Sequence, residues 1–189
     1  MMEGLDEERI DRDPIKQFQL WFDEAIAAKL PMPDAMSLAN VTPDCRPTSR
    51  MVLLKQVDGY GFVFFTNYES AKAKQLEINP YAALVFYWPQ LERQVRVEGK
   101  VTKTSAEESS AYFKTRPRES QIGALASPQS EVITAREVIE QRAHELAELY
   151  CDREIDCPAN WGGFRLTPDR IEFWKGRIGR LHDRILYEL

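Results

Sequence analysis

From Ala35 to Lys103 the chain alternates short apolar runs with turn chemistry, and this punctuation constrains the fold more than any other feature. AMSLANVT, PTSRMVLLKQV and GFVFFTN are β-rich runs separated by Pro43-Asp44 and Asp58-Gly59, pairs that favour tight turns. They read as strands joined by two successive hairpin connections. The run LERQVRVEGKVTK alternates with period two: Leu91, Arg93, Val95, Val97 and Val101 fall on one side, and Glu92, Gln94, Arg96, Glu98 and Lys100 on the other. With YAALVFYW, GGFRLTP, RIEFWKG and GRLHDRILYEL the expected total is about six or seven strands. No regular βαβ alternation links them. The pattern therefore predicts a mainly β chain of α+β class, an antiparallel barrel with peripheral helices rather than a Rossmann sheet.

The helices announce themselves by caps and breaks. Asp13-Pro14 is an N-cap and first-turn signal, and Ile15, Phe18, Trp21, Phe22, Ala25 and Ile26 follow at helical spacing to a stop near Leu30-Pro31. Ser70 is placed to cap a short helix, AKAKQLEIN, which Pro80 closes. Helical stretches follow around SSAYFKT, after Pro117, and from Thr134 to Tyr150; Pro117 separates the first two because it disfavours helical geometry at Arg116. At 189 residues with no linker-like boundary, one domain over residues 1–189 is the simplest account, with residues 1–12 a flexible N-terminal segment.

Composition excludes several classes. With 43% hydrophobic and 29% charged residues the chain is not disordered as a whole. Residues 1–40 hold 9 acidic and 4 basic side chains, which accounts for the whole net charge of −5 and leaves the remainder balanced. Three cysteines without CxxC spacing and no leader-like apolar stretch point to a reducing, cytoplasmic setting. No window approaches the roughly 18 apolar residues of a membrane helix. Two histidines and no cysteine pair at ligand spacing argue against a metal site, and no basic stripe with interleaved aromatics argues for nucleic acid.

The nucleotide signatures GxGxxG and GxxxxGK[ST] are absent, so any anion site is built from side chains on strands and helix ends. Four clusters qualify. RMVLLK, Arg50 to Lys55, brackets four apolar residues with two cations; it reads equally as a strand with solvated ends. TNYESAKAK puts Lys72 in a first helical turn, where the helix dipole is repelled unless an anion or solvent intervenes. Tyr112, Arg116 and Ser120, four apart around Pro117, either converge as donors on one oxyanion or decorate a surface helix pair, and Gln129-Ser130 adds donors nearby. In RLHDR, strand geometry places Arg180, His182 and Arg184 on one face, with Leu181 and Asp183 on the other. Two guanidiniums flanking an imidazole repel its proton, which favours a substrate site there.

The ordered set RMVLLK, TNYESAKA, NPYAALVFYW, LERQVRVEG, YFKTRPRESQIGA, SPQS, WGGFRL, IEFWKG and RLHDR resembles the pyridoxine/pyridoxamine 5′-phosphate oxidases, from about Asp13 onward. The resemblance implies an FMN-binding split barrel working as a homodimer with flavin at the interface. It implies FMN contacts from Arg50, Met51, Val52, Leu53, Leu54, Lys55, Phe65, Thr66, Lys72, Gln94, Gln129, Ser130, Trp174 and Arg184, some across the dimer. Lys55, Tyr112, Arg116 and Ser120 match substrate-phosphate positions, and Arg180, Leu181 and His182 the substrate ring site, with Arg180 and His182 as the catalytic pair. The implied reaction is hydride transfer from pyridoxamine or pyridoxine 5′-phosphate to flavin, then reoxidation by dioxygen, giving pyridoxal 5′-phosphate and hydrogen peroxide. Ala71 departs from the pattern, standing where the family commonly has an arginine, and Leu125 replaces a frequent tryptophan. Those departures keep two alternatives in view: a non-catalytic flavin or B6-phosphate binding module, and another split-barrel flavin reductase.

Overall fold

The computed structural model describes residues 4–189, so the first three residues of the expected flexible segment lie outside the described residues. The elements in chain order are α1 (Pro14–Ala27), β1 (Ala35–Val41), β2 (Pro47–Leu53), β3 (Gln56–Asp58), β4 (Gly61–Asn67), α2 (Ala71–Ile78), β5 (Tyr81–Trp88), β6 (Arg93–Lys103), α3 (Ala106–Thr115), α4 (Arg118–Ala126), α5 (Arg136–Leu149), β7 (Trp161–Lys175) and β8 (Asp183–Glu188). The strands form one antiparallel sheet in the order β2-β1-β5-β6-β7-β4-β3, with β8 also on β7. The sheet curls into a half-barrel, as the run pattern predicts.

Closure of the barrel corrects one expectation. PTSRMVLLKQV is not a single strand: after Leu53 the chain leaves β1 and joins the far end of the sheet. Leu54 N–H still donates to Asp34 O near β1, at 2.8 Å, while Lys55 N–H already donates to Val63 O on β4, at 2.8 Å. Residues 54–55 are thus the stitch that brings the sheet's two ends together. A second correction concerns GGFRLTP and RIEFWKG, which are one 15-residue strand, β7. Pro168 is tolerated within it because it faces the register shift at Glu98/Gly99 of β6, where a ladder N–H is dispensable. The first half of β7 pairs with β4 and the second half with β8 on the same edge.

Inside the curl, alternate residues of each strand build the core. One register row, Leu38–Leu84–Val97–Ile171, is fully buried, and the next, Ser37–Val85–Arg96–Glu172, points outward. α1 lays Phe18, Trp21 and Ala25 onto this core; the Phe18 ring sits 4.8 Å from both Phe62 and Phe86. Its N-terminus is capped as expected, Asp13 Oδ1 accepting from Ile15 N–H at 2.9 Å and Lys16 N–H at 3.3 Å. Ser70 does not cap α2: its buried hydroxyl instead accepts from Lys72 Nζ at 3.2 Å. Arg116 takes extended geometry (φ −72°, ψ 147°) between α3 and α4, as its place before Pro117 requires.

Candidate functional site

The expected site residues fall into three groups. The first surrounds Arg50, on the inner side of β2, whose outer edge carries no ladder partner among the described residues. Arg50 Nη1 donates to Leu38 O at 3.2 Å and to Asn40 Oδ1, and Nη2 donates to Thr48 Oγ1 at 2.8 Å and Gln75 Oε1 at 3.4 Å. Close by, Lys72 Nζ donates to Gln129 Oε1 at 2.8 Å, Thr66 Oγ1 at 3.1 Å and Ser70 Oγ at 3.2 Å, and Thr66 Oγ1 donates to Gln129 Oε1 at 2.8 Å. Among the described residues neither cation has a carboxylate partner. Burial, with Arg50 adding repulsion, pulls the Lys72 ammonium down to about 8, and burial also lowers Arg50. Two desolvated cations without a carboxylate partner are an arrangement chemically suited to an anion.

The rest of Arg50–Lys55 divides its duties. Met51 is 63% exposed on the outer face, Val52 and Leu53 are half-buried, and the Leu54 side chain belongs to the core. Lys55 Nζ pairs with Asp34 Oδ2 at 2.8 Å, so an incoming anion competes with that carboxylate. Ser130 is exposed and adopts a left-handed backbone (φ 73°), and no side-chain contact joins it to Gln129 or Lys72.

The second group adjoins the first through β4. Phe65 stacks on Tyr112 at 4.0 Å and on Trp161 at 5.3 Å, and the Arg116 guanidinium lies 4.7 Å over the same indole. Arg116 Nη1 is buried with no hydrogen-bond partner. Burial lowers the Arg116 pKa, Tyr112 and Cys157 opposing it. An unpaired buried N–H of a cation is costly, and an acceptor oxygen placed against it would remove that cost. Ser120 opens the following helix and is half-buried, with no side-chain partner among the described residues. Gly163 leaves room for the stack, since a Cβ there would stand 2.9 Å from the Phe65 ring; Gly162 instead admits the Tyr68 hydroxyl, which a Cβ would approach to 2.2 Å.

The third group lies elsewhere. Gln94, Trp174 and Arg184 are direct register partners across β6, β7 and β8, forming one outward row, and Arg184 Nη1 is 3.6 Å from Glu172 Oε2. His182 packs its ring 4.7 Å from Trp174. The strand expected through RLHDR is not formed there: β8 begins only at Asp183. Gly179 (φ 78°) and Arg180 (φ 63°) are two successive left-handed residues, which end the period-two alternation. Arg180, His182 and Arg184 consequently do not share a strand face, and Arg180 and Leu181 are exposed. In the sheet order this row and β2 are separated by β1 and β5, and among the described residues no hydrogen bond or ring contact joins the third group to the first two.

Several residues of this architecture carry no motif of their own. Asn40, Thr48 and Gln75 hold Arg50; Asp34 holds Lys55; Trp161 is the platform under Arg116. Of these only Trp161, beside the paired glycines of WGGFRL, had a local signal, a large ring next to residues that permit close approach.

Comparison with known proteins identifies the family. Residues 22–150 match the family model described as pyridoxamine 5′-phosphate oxidase, and residues 161–189 that described as the pyridoxine 5′-phosphate oxidase C-terminal dimerisation region. A pyridoxine/pyridoxamine 5′-phosphate oxidase of a Nostoc species is 55% identical over all of this chain and 88% of its own. Its counterpart in Paraburkholderia xenovorans is 57% identical over 97% of this chain and 86% of its own. Among solved structures, PhzG from Burkholderia lata, in complex with tetrahydrophenazine-1-carboxylic acid, superposes with TM-score 0.93 at 28% identity, covering 100% of this chain and 93% of that one. An FMN-binding, pyridoxamine 5′-phosphate oxidase-related protein from Nostoc punctiforme gives TM-score 0.72 at 20% identity over 90% of each chain, a likeness of fold. By sequence over its full length and by its split-barrel fold, the chain belongs to the pyridoxine/pyridoxamine 5′-phosphate oxidase family.

Proposed function

We propose that this protein is an FMN-dependent oxidase of pyridoxamine or pyridoxine 5′-phosphate, acting in the cytoplasm as a homodimer and releasing pyridoxal 5′-phosphate. The observation that carries the reading is a pair of separate cationic clusters: Arg50 with Lys72, and Arg116 with an orphaned buried Nη1. A cofactor phosphate and a substrate phosphate are two anions, and Phe65, the neighbour of Thr66 in the first group, stacks on Tyr112 of the second. The donor set fits FMN: Lys72, Thr66 and Gln129 would hold its phosphate with Arg50, and the free edge of β2 would run beside it. FMN, when bound, supplies the redox chemistry, accepting the substrate's electrons and passing them to dioxygen.

The chain's own work is positioning. Arg116, Tyr112, Ser120 and Lys55 would clamp the substrate phosphate, and fixing it far from the reacting carbon converts binding energy into orientation. His182 Nδ1 accepts the Arg177 backbone N–H at 3.0 Å, so the neutral ring carries its proton on Nε2 and acts there as a donor. That leaves Arg180, exposed beside it, to complete the contact with the substrate ring. Because Gln94, Trp174, Arg184 and His182 lie apart from the phosphate pockets in one chain, a second copy would bring them to the flavin; the dimerisation region matched at residues 161–189 supports this. The likeness to PhzG raises a second reading, a flavin enzyme for a larger carboxylic acid. Such a substrate would offer Arg116 a carboxylate in place of a phosphate, so turnover of the vitamer phosphates separates the two readings.

The test is purification, release of FMN on denaturation, and oxygen uptake with pyridoxamine 5′-phosphate. Peroxide formed with that substrate, and abolished by Arg116→Met, is expected. Flavin-loaded protein that fails to turn over either vitamer phosphate would overturn the reading.

A further inference from the structure

The loop over residues 176–182 carries both Arg180 and His182, and its two left-handed residues deny it regular ladder support. Gly176 N–H donates to Glu92 O at 2.7 Å at its start and His182 rests on Trp174, and the N-terminal segment adds a further hold. Asp183 Oδ2 accepts the Leu5 backbone N–H at 2.9 Å and pairs with Arg177 Nε at 2.8 Å, so one oxygen joins the N-terminal segment to the loop. Arg177 in turn donates its backbone N–H to His182 Nδ1 at 3.0 Å. The approach is close: a Cβ on Gly4 would stand 1.8 Å from Arg177 Nη2 and 2.6 Å from Asp183 Oδ2, so any larger residue displaces the guanidinium. A second tie, Tyr187 Oη donating to Asp11 O at 2.6 Å, fixes the same segment to β8.

We propose that Asp183 is a positioning residue, fastening the N-terminal segment to the β7–β8 loop and through Arg177 setting the tautomer and orientation of His182. Its catalytic consequence rests on the function proposed above; the tie itself does not. Asp183 faces away from the flavin row and touches neither pocket, and its two partners are a backbone N–H and a guanidinium. The charge lets one carboxylate oxygen serve both donors at once.

Trypsin cleaves after Arg177 and Arg180, so the rate of cleavage in this loop of the FMN-loaded protein reports how firmly it is held. Gly4→Ala, which changes no pocket residue, and Asp183→Ala are each expected to speed cleavage roughly three- to tenfold. Both should lower kcat/KM for pyridoxamine 5′-phosphate with FMN content unchanged in Gly4→Ala. Asp183→Asn, which keeps an acceptor oxygen but not the charge, should fall between. The double variant should behave like Asp183→Ala alone, because both changes break one tie. Unchanged loop cleavage in Gly4→Ala, or effects that multiply in the double variant, would overturn the proposal. A parent protein inert toward both vitamers would refute the proposed function instead, while the cleavage rates still decide the tie.

Discussion

Replacing Lys72 by Met should move stability and flavin affinity in opposite directions. Lys72 is held in the folded state at about 8, against 10.5 ordinarily, because its ammonium is desolvated and faces Arg50. The shift corresponds to about 2–3 kcal/mol after discounting for residual solvent, a cost borne in full below pH 8 and fading as pH rises toward 10.5. Met keeps the length of the side chain and removes the charge. It also removes three hydrogen bonds, but Thr66 keeps its own bond to Gln129, so the buried Ser70 hydroxyl is the main loss, about 1 kcal/mol. The apoprotein should therefore gain roughly 1–2 kcal/mol at pH 7, read as a higher urea midpoint with an unchanged slope. FMN affinity, followed by quenching of flavin fluorescence, should fall at least tenfold. In the parent, that affinity should decline above pH 8 as Lys72 loses its proton, and the variant should lack the decline. A less stable apo variant, or parent affinity constant from pH 7 to 10, would refute the assignment of Lys72 to a phosphate pocket.

Other perturbations follow from the same geometry. Trp161→Ala withdraws the platform beneath Arg116 and should raise KM for the vitamer phosphate more than it lowers kcat, whereas Trp161→Phe, keeping a ring, should recover most of the difference in steady-state assays. Arg165 is largely buried between Asp58, at 2.6 and 2.7 Å, and Glu108, at 2.7 Å; Arg165→Met strands both carboxylates and should cost about 3 kcal/mol in denaturant titration. Burial pushes Asp58 up, but Arg165 and the Tyr60 N–H outweigh it, so this contribution is present at neutral pH and lost as pH falls below the ordinary carboxylate range, visible in acid unfolding. Mixing Lys72→Met with an Arg184 variant should restore up to one working site per mixed dimer; no recovery of activity on mixing would contradict a site shared between copies.

The local elements were legible in the sequence because their signals are local. Asp13-Pro14 capped a helix, Pro117 broke one, and the alternation of Val95, Val97 and Val101 set which side of β6 is core. The family was equally legible, since its motifs recur in an ordered series along the whole chain. The stitch at Leu54-Lys55 was not, because a chain that changes pairing partner keeps the same β-rich composition across the change. Nor was the bend in RLHDR: period two predicts a shared face, and only the left-handed Gly179 and Arg180 cancel it. The sequence by itself determined a β-rich split barrel and its family, because periodicity and residue chemistry are written residue by residue. Tertiary structure alone decided that Asn40, Thr48 and Gln75 hold Arg50, that Trp161 lies under Arg116, and that the Trp174 row stands apart from both pockets. Those relations depend on how a sheet curls and which ends it joins, and curvature belongs to the packed sheet as a whole.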